Sequence, residues 1–368
     1  MGSLRSVLSP DRPQALDDPT LGRALPPLEE LLDELVVVQL PLVARFRGIT
    51  VRETALVRGP LGWAEFAPFT EYDDAEASRW LSATLEAGWW GWPDPVREAV
   101  EVNATVPAVE AGQVPGVLAR FPGCTTAKIK VAEQGALVQD AAQLGGVSDR
   151  ADRARIAAAR EVLGEGAALR LDANGAWSVP HALDFLTRLA EDGERLEYVE
   201  QPCATVEELA DLREGLARRG VSVRIAADES IRRAQDPLRV RELAAADVVV
   251  VKAAPLGGVS AARQVLDAAG LPVVVSSALE SSVGLASGVA LAATVPALQG
   301  ACGLGTVRLL AEDVTTDSLS PVGGRIDLRR VEPDRRVALA APERREWWAD
   351  RLSRCHRLLR RGQIGRRS

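Results

Sequence analysis

Lysine is nearly missing from this chain. Of 44 basic residues only Lys128, Lys130 and Lys252 are lysine, and the other 41 are arginine. Histidine is scarcer still, with only His181 and His356, which leaves almost no room for a histidine base or a histidine-rich metal site. The four cysteines (Cys124, Cys203, Cys302 and Cys355) lie far apart and form no C-x-x-C pair. That argues against a zinc site or disulfide framework and fits a reducing cytoplasm. Residues 1–30 lack the apolar core of a secretory signal, and the apolar stretch 31–43 is interrupted by Asp33, Glu34 and Pro41. It is too short to cross a bilayer, so no membrane association is expected. A net charge of −7 gives nucleic-acid binding no global electrostatic support. The local exception is 344–367, with nine arginines against Glu346 and Asp350, which reads as a solvated helix followed by a frayed tail.

What is present is ordinary globular material: 368 residues, 47% hydrophobic and 26% charged, enough for one large domain and a smaller one. Residues 1–30, rich in Pro, Asp and Arg, read as a poorly ordered leader. Three extended runs follow at 35–42, 49–58 and 63–69, with Gly59-Pro60 turning between the last two. A helix begins at Asp73 or Asp74 and ends near Gly88, which predicts a small α+β unit.

The pattern then changes to alternation. Extended runs are expected at 100–106, 127–131, 168–172, 196–200, 223–228, 247–252, 272–276 and, more weakly, 298–303. Helices are expected at 152–163, 180–190, 206–218, 237–245, 260–269 and 283–294. Eight strands alternating with helices over about 200 residues is the spacing of a parallel (β/α)₈ barrel. A doubly wound sheet would ordinarily place a glycine-rich loop after its first strand, and Val106-Pro107-Ala108 has none. Residues 132–149, with Gly135, Gly145 and Gly146, read as a long loop after strand two, either a lid or a surface excursion.

The chemistry gathers at the strand ends. Strand two ends in Lys128-Ile129-Lys130, with both lysines on one face. Strands three to six end in Asp172-Ala173-Asn174, Glu200-Gln201-Pro202, Asp228-Glu229-Ser230 and Lys252. Any one of these acids could be a helix cap or a salt-bridge partner. In a barrel all five ends converge on one mouth, where three carboxylates would repel one another unless a hard cation such as Mg²⁺ neutralised them. Arginine cannot give up its proton in a protein, whereas lysine can. Lysines retained at such a mouth suit removal of a proton beside a carboxylate, with cations stabilising the enediolate.

These residues resemble the enolase superfamily, in its muconate-lactonizing subgroup. The pairing of a Lys or His base with Mg²⁺ is a known property of that superfamily. The resemblance covers roughly 35–330 and implies a (β/α)₈-type barrel with a smaller α+β capping domain. The expected division is 1–30 leader, 31–99 N-terminal part of the cap, 100–307 barrel, and 308–368 returning to the cap. Trp63-Ala64-Glu65 after Gly62 resembles a turn of the subgroup's cap.

Three further segments are similar to the actinobacterial o-succinylbenzoate synthase family: Phe46-Arg47-Gly48, the run 276–282 and the run 301–306. That likeness implies a small carboxylate substrate, a syn dehydration in menaquinone synthesis, and Mg²⁺ held by Asp172, Glu200 and Asp228. Lys130 would move the proton and Lys252 would stabilise the enediolate by its charge. Lys128 would lower the pKa of Lys130, and Asn174, Ser277 and Gly303 would support the site. Racemisation of N-acylamino acids, dipeptide epimerisation and cycloisomerisation use the same machinery. The absence of an acid at 303–306 weighs against the dipeptide version. A catalytically dead scaffold would show losses among the five strand ends, and a phosphate-binding barrel leaves three carboxylates unexplained.

Overall fold

The computed structural model describes residues 23–46, 48–132, 141–232, 239–334 and 339–365. The first element is helix α1 (Leu28–Asp33), which begins inside the 1–30 span expected to be leader and runs past its end. Leu31 is fully buried, and Leu25 and Leu28 pack beside it, so apolar contacts order the chain from its early twenties onward. Residues 1–22 lie outside the described residues.

Strands β1 (Val36–Phe46), β2 (Ile49–Gly59) and β3 (Gly62–Phe66) form an antiparallel meander. Gly59 pairs with Gly62 across a two-residue turn. Glycine is required at 59, because a Cβ there would lie 2.3 Å from the carbonyl oxygen of Gly88. Helix α2 (Asp74–Leu85) starts where Asp73 accepts a 2.7 Å bond from the Glu76 amide, and it passes into a π-turn over Glu86–Trp90. Its apolar face, with Trp80 and Leu81, joins Val37 and Phe66 in a core separate from that of the barrel.

The expected strand 100–106 is two strands. Ala99–Glu101 (β4) turns away to pair antiparallel with Arg325–Asp327, and Ala104–Val106 (β5) opens the barrel. Between them the Asn103 amide bonds to the Cys302 carbonyl, so the apolar run changes partner partway along. Strands β6 (Thr126–Lys130), β7 (Ala168–Asp172), β8 (Leu196–Glu200), β9 (Ile225–Ala227), β10 (Val248–Val251) and β11 (Val273–Val275) follow in parallel. They make a seven-stranded sheet. The eighth position is filled by 298–303, held by single bridges (Leu298 to Val273, Gly303 to Ser276, Cys302 to Val102) rather than a continuous ladder.

The helices between these strands are α3 (Val114–Leu118), α4 (Ala141–Leu163), α5 (Val179–Glu191) and α6 (Val206–Arg218). After them come α7 (Glu229–Arg232), α8 (Arg239–Glu242), α9 (Ala253–Leu256), α10 (Val259–Ala269) and α11 (Ser282–Thr294). Of the loop expected over 132–149, residues 141–149 are helix instead. Helix α4 already runs from Ala141, and 133–140, where a lid would also have lain, is outside the described residues. Gly145 and Gly146 misled the reading: each costs about 1 kcal/mol against alanine in a helix, which a long helix tolerates. The helix expected at 237–245 is the short α8, with 233–238 outside the described residues.

Alternation along the strands sorts the barrel into two compartments. Ile129, Leu171, Val199, Ala227 and Val251 face the helices, while Tyr198, Ala226, Val248, Val250 and Val274 fill the bore. Arg170, fully buried, crosses the bore and stacks on Tyr198 at 4.7 Å. It bonds to Glu197 at 2.7 Å and to the Ala301 carbonyl at 2.6 Å, stitching β7 to the weakly laddered eighth position.

The last helix, α12 (Pro342–Gly365), packs against α2. The expected solvated helix is therefore half right. Its arginines face outward in part, but Trp348, Leu352, Cys355 and Arg351 are buried. Arg351 donates to the carbonyls of Phe69 and Tyr72. Among the described residues no helix is long and apolar enough to cross a membrane.

Candidate active site

The register of the sheet aligns the reactive strand ends. Lys130 pairs with Asp172, Asp172 with Glu200, and Glu200 with Ala226, two residues before Asp228. Lys252 follows directly on β10, and Ser276 and Ser277 follow on β11. Lys128, Lys130, Asp172, Asn174, Asp228, Lys252, Ser277 and Gly303 all line one pocket. Glu200 lies just beneath it, fully buried.

The three lysines and three carboxylates pair with each other. Lys128 grips both oxygens of Glu200, at 2.8 and 2.9 Å, and its amine is 3.4 Å from Asp172 Oδ2. The Lys130 amine lies 3.6 Å from the same oxygen. Across the pocket Lys252 donates to Asp228. Burial alone would lower the pKa of Lys128, but Glu200 and Asp172 override it and hold that ammonium well above the ordinary lysine value. Burial would raise Asp172, yet Lys130, Lys128 and Lys252 hold it well below the usual carboxylate range. Glu200 is pushed up to about 7, first by burial and then by Asp172 and Asp228, against the pull of Lys128. Lys128 and Lys130 thus share Asp172 as acceptor, with Lys128 committed chiefly to Glu200.

Asn174 takes a left-handed backbone (φ 45°), and its amide donates to Asp172 Oδ1 at 3.2 Å. Its side chain donates to Glu229 at 3.1 Å. Ser277 bonds to Thr306, linking the strand-seven loop to the eighth position. Thr105 had escaped sequence reasoning, and it lines the pocket beside Phe46, Glu229, Leu279 and Thr306, which the sequence offered only within longer segments. Gln201 ties strand ends together: its oxygen accepts from the Asp228 and Ser230 amides at 3.1 and 3.2 Å, and its nitrogen donates to Ser230 and Cys203. Gln201 was visible at the strand end but was passed over for the acid beside it. Thr105 lies inside an apolar run, with no charge to mark it.

Two buried carboxylates from outside the barrel hold its helices. Glu65 of β3 accepts from the Ser281 amide at 3.1 Å and from its hydroxyl, at the start of α11. Glu86 accepts from the Val259 and Ser260 amides at the start of α10. Each brings a buried carboxyl group to a helix N-terminus, where its oxygens take up unpaired amides.

The donor set fits a hard divalent cation. Asp172, Glu200 and Asp228 offer oxygen alone, from adjacent strands, and a cation would offset both the burial and the neighbouring acids that raise Glu200. Their carboxylates are turned onto the lysines, and among the described residues no group of three acidic, His or Cys side chains is already gathered for a metal.

Residues 117–334 match the family described as Enolase C-terminal domain-like, and residues 37–88 match Enolase N-terminal domain-like. The o-succinylbenzoate synthase of Mycolicibacterium smegmatis is 52% identical over 342 residues, covering 92% of this chain and all of that protein. That of Thermobifida fusca is 54% identical over 311 residues, covering 84% of this chain and 92% of that one. The chain belongs to the o-succinylbenzoate synthase family of the enolase superfamily. Among solved structures, the L-Ala-D/L-Glu epimerase of Bacillus subtilis has a TM-score of 0.64 at 21% identity, covering 84% of this chain and 98% of that one. A dipeptide epimerase from Enterococcus faecalis, crystallised with Mg and a dipeptide, has a TM-score of 0.62 at 21% identity, covering 82% and 97%. These neighbours share the fold. Of the segments that resembled the o-succinylbenzoate synthase family, Phe46, Ser276–Leu279 (by number, 276–279), Gly303 and Thr306 line the pocket, while Arg47 lies outside the described residues.

Proposed function

We propose that the chain dehydrates 2-succinyl-6-hydroxy-2,4-cyclohexadiene-1-carboxylate to o-succinylbenzoate, a step of menaquinone synthesis, with Mg²⁺ at Asp172, Glu200 and Asp228. The observation that carries the reading is the placement of the lysines. Strands β6 and β10 stand four positions apart in an eight-position ring, so Lys130 and Lys252 face each other across the pocket. Lys130 removes the proton from C1, and its electron pair passes into the carboxylate as an enediolate. Lys252 holds that charge from the other side as an ammonium. The charge then returns to expel the C6 hydroxyl, which takes the proton from Lys130 and leaves as water. One H and one OH are lost from the same face, and the ring becomes aromatic. When bound, the cation stabilises the developing negative charge and favours the uncharged form of a nearby lysine.

Lysines on both faces are also the arrangement that would racemise an N-acylamino acid. The experiment is to supply the cyclohexadiene acid with Mg²⁺ and follow o-succinylbenzoate, and separately to incubate N-succinyl amino acids in D₂O. Dehydration is expected. Lys130→Ala should lower it at least about 10³-fold, and Lys252→Arg, which keeps the charge, should retain measurable turnover. No dehydration by the parent protein, or near-parental rates in Lys130→Ala, would sink the assignment. Exchange at the amino-acid α-carbon without dehydration would favour the racemase.

A further inference from the structure

Helix α4 carries an ion pair that sits behind the strand-two lysines. Asp152 and Arg155 are one turn apart, 3% and 5% exposed, with 2.7 Å between their charged atoms. Both also bond to backbone. Arg155 Nη1 donates to the Lys130 carbonyl at 2.7 Å, and its Nε donates to the Val109 carbonyl at 2.6 Å. Asp152 Oδ2 accepts from the Ala132 amide at 2.8 Å. The last ladder bond of β6 to its neighbour is the Val131 amide to the Asp172 carbonyl, at 3.0 Å. Beyond it Ala132 takes a left-handed backbone, φ 61°, which an alanine adopts only when its surroundings impose it.

A buried ion pair is weak evidence for stability, because apolar residues of the same volume often serve as well or better. What apolar residues could not do here is bind the carbonyl of 130 and the amide of 132 together. We propose that Asp152 and Arg155 are positioning residues for Lys130: the pair clips the backbone on both sides of β6's end and ties it to the loop after strand one, so fixing where the Lys130 amine stands. The proposal rests on the reading of Lys130 as the proton-transferring group.

The test uses the full chain and the cyclohexadiene acid, unlabelled and deuterated at C1. The double variant Asp152→Asn with Arg155→Met removes both charges of the pair together, so it is the form expected to fold, with thermal unfolding as the control. A misplaced base slows proton abstraction: kcat should fall about 10- to 100-fold, KM should stay within about twofold, and the deuterium isotope effect on kcat should rise. A purely structural role lowers the active fraction, reducing kcat with an unchanged isotope effect. That result, or a folded variant with parental kcat, overturns the proposal. Lys130→Ala is assayed beside it. If Lys130→Ala is inactive while the double variant is parental, the clip alone fails. If Lys130→Ala turns over normally, the premise fails and the proposal with it.

Discussion

Residues of one kind behave differently in this chain according to what faces them, and the buried carboxylates show it. Asp172 is held low by three ammonium groups, whereas Glu65, with Ser281 and Arg52 on one side and Glu280 on the other, is pushed up to about 7, burial being the largest cause. The sign of its effect on stability follows. A carboxyl whose pKa rises from an ordinary 4.5 to about 7 on folding binds more protons folded than unfolded in that window. Its contribution is therefore fullest below about pH 4.5 and is lost as pH climbs to about 7. Glu65→Gln cannot ionise, so its stability relative to the parent should rise by up to about 3 kcal/mol between pH 4 and pH 8. Urea unfolding of both proteins across that range checks it, and parallel curves would refute it. At this scale the sequence was most informative about the lysines. Period-two alternation put Lys128 and Lys130 on one face, and scarcity marked them. The sequence was silent on pairing: that Lys128 grips Glu200, 72 positions away, depends on strand register. The roles of Glu65 and Glu86 were equally hidden, since each meets its helix only after two units dock.

Elements were legible where period and length agreed. The helix expected at 206–218 is α6, sealed by a capping box between Thr205 and Glu208 that the sequence itself displays. Where local composition conflicted with tertiary context, the reading failed. Glycines concealed the first turns of α4, and one apolar run concealed the break between β4 and β5. The C-terminal helix is the instructive middle case. Its arginines were read as a solvated face, but Trp348 lies against Phe66 edge-on at 5.8 Å and donates to Glu53 at 3.0 Å. Truncating that side chain to alanine should cost about 3–5 kcal/mol, the range for a large buried aromatic. Thermal or urea unfolding of Trp348→Ala measures the loss. A change below about 1 kcal/mol would mean that α12 is an appendage and not part of the smaller core.

For the whole molecule, one mouth gathers three lysines and four carboxylates, Asp172, Glu200, Asp228 and Glu229, formally one negative charge in excess. A divalent cation that binds the folded chain and not the unfolded one stabilises it by mass action, about 2.7 kcal/mol at a hundredfold excess over Kd. EDTA should therefore abolish turnover and lower the unfolding temperature, and added Mg²⁺ should restore both. Calcium provides a control of different coordination size. An unfolding temperature and turnover both indifferent to EDTA would exclude the proposed metal site.

Beneath that mouth the barrel is plugged. Arg170 and Tyr198, both without exposed surface, close the bore directly under the acidic rim. The pocket is thus closed at its floor, and Phe46 at the tip of β1 lines its wall. Among the described residues the floor offers no passage, so an aromatic product must climb out before the next substrate descends. Under the proposed reaction, product and substrate therefore compete for the same doorway, and accumulated product acts as a competitive inhibitor by occupancy alone.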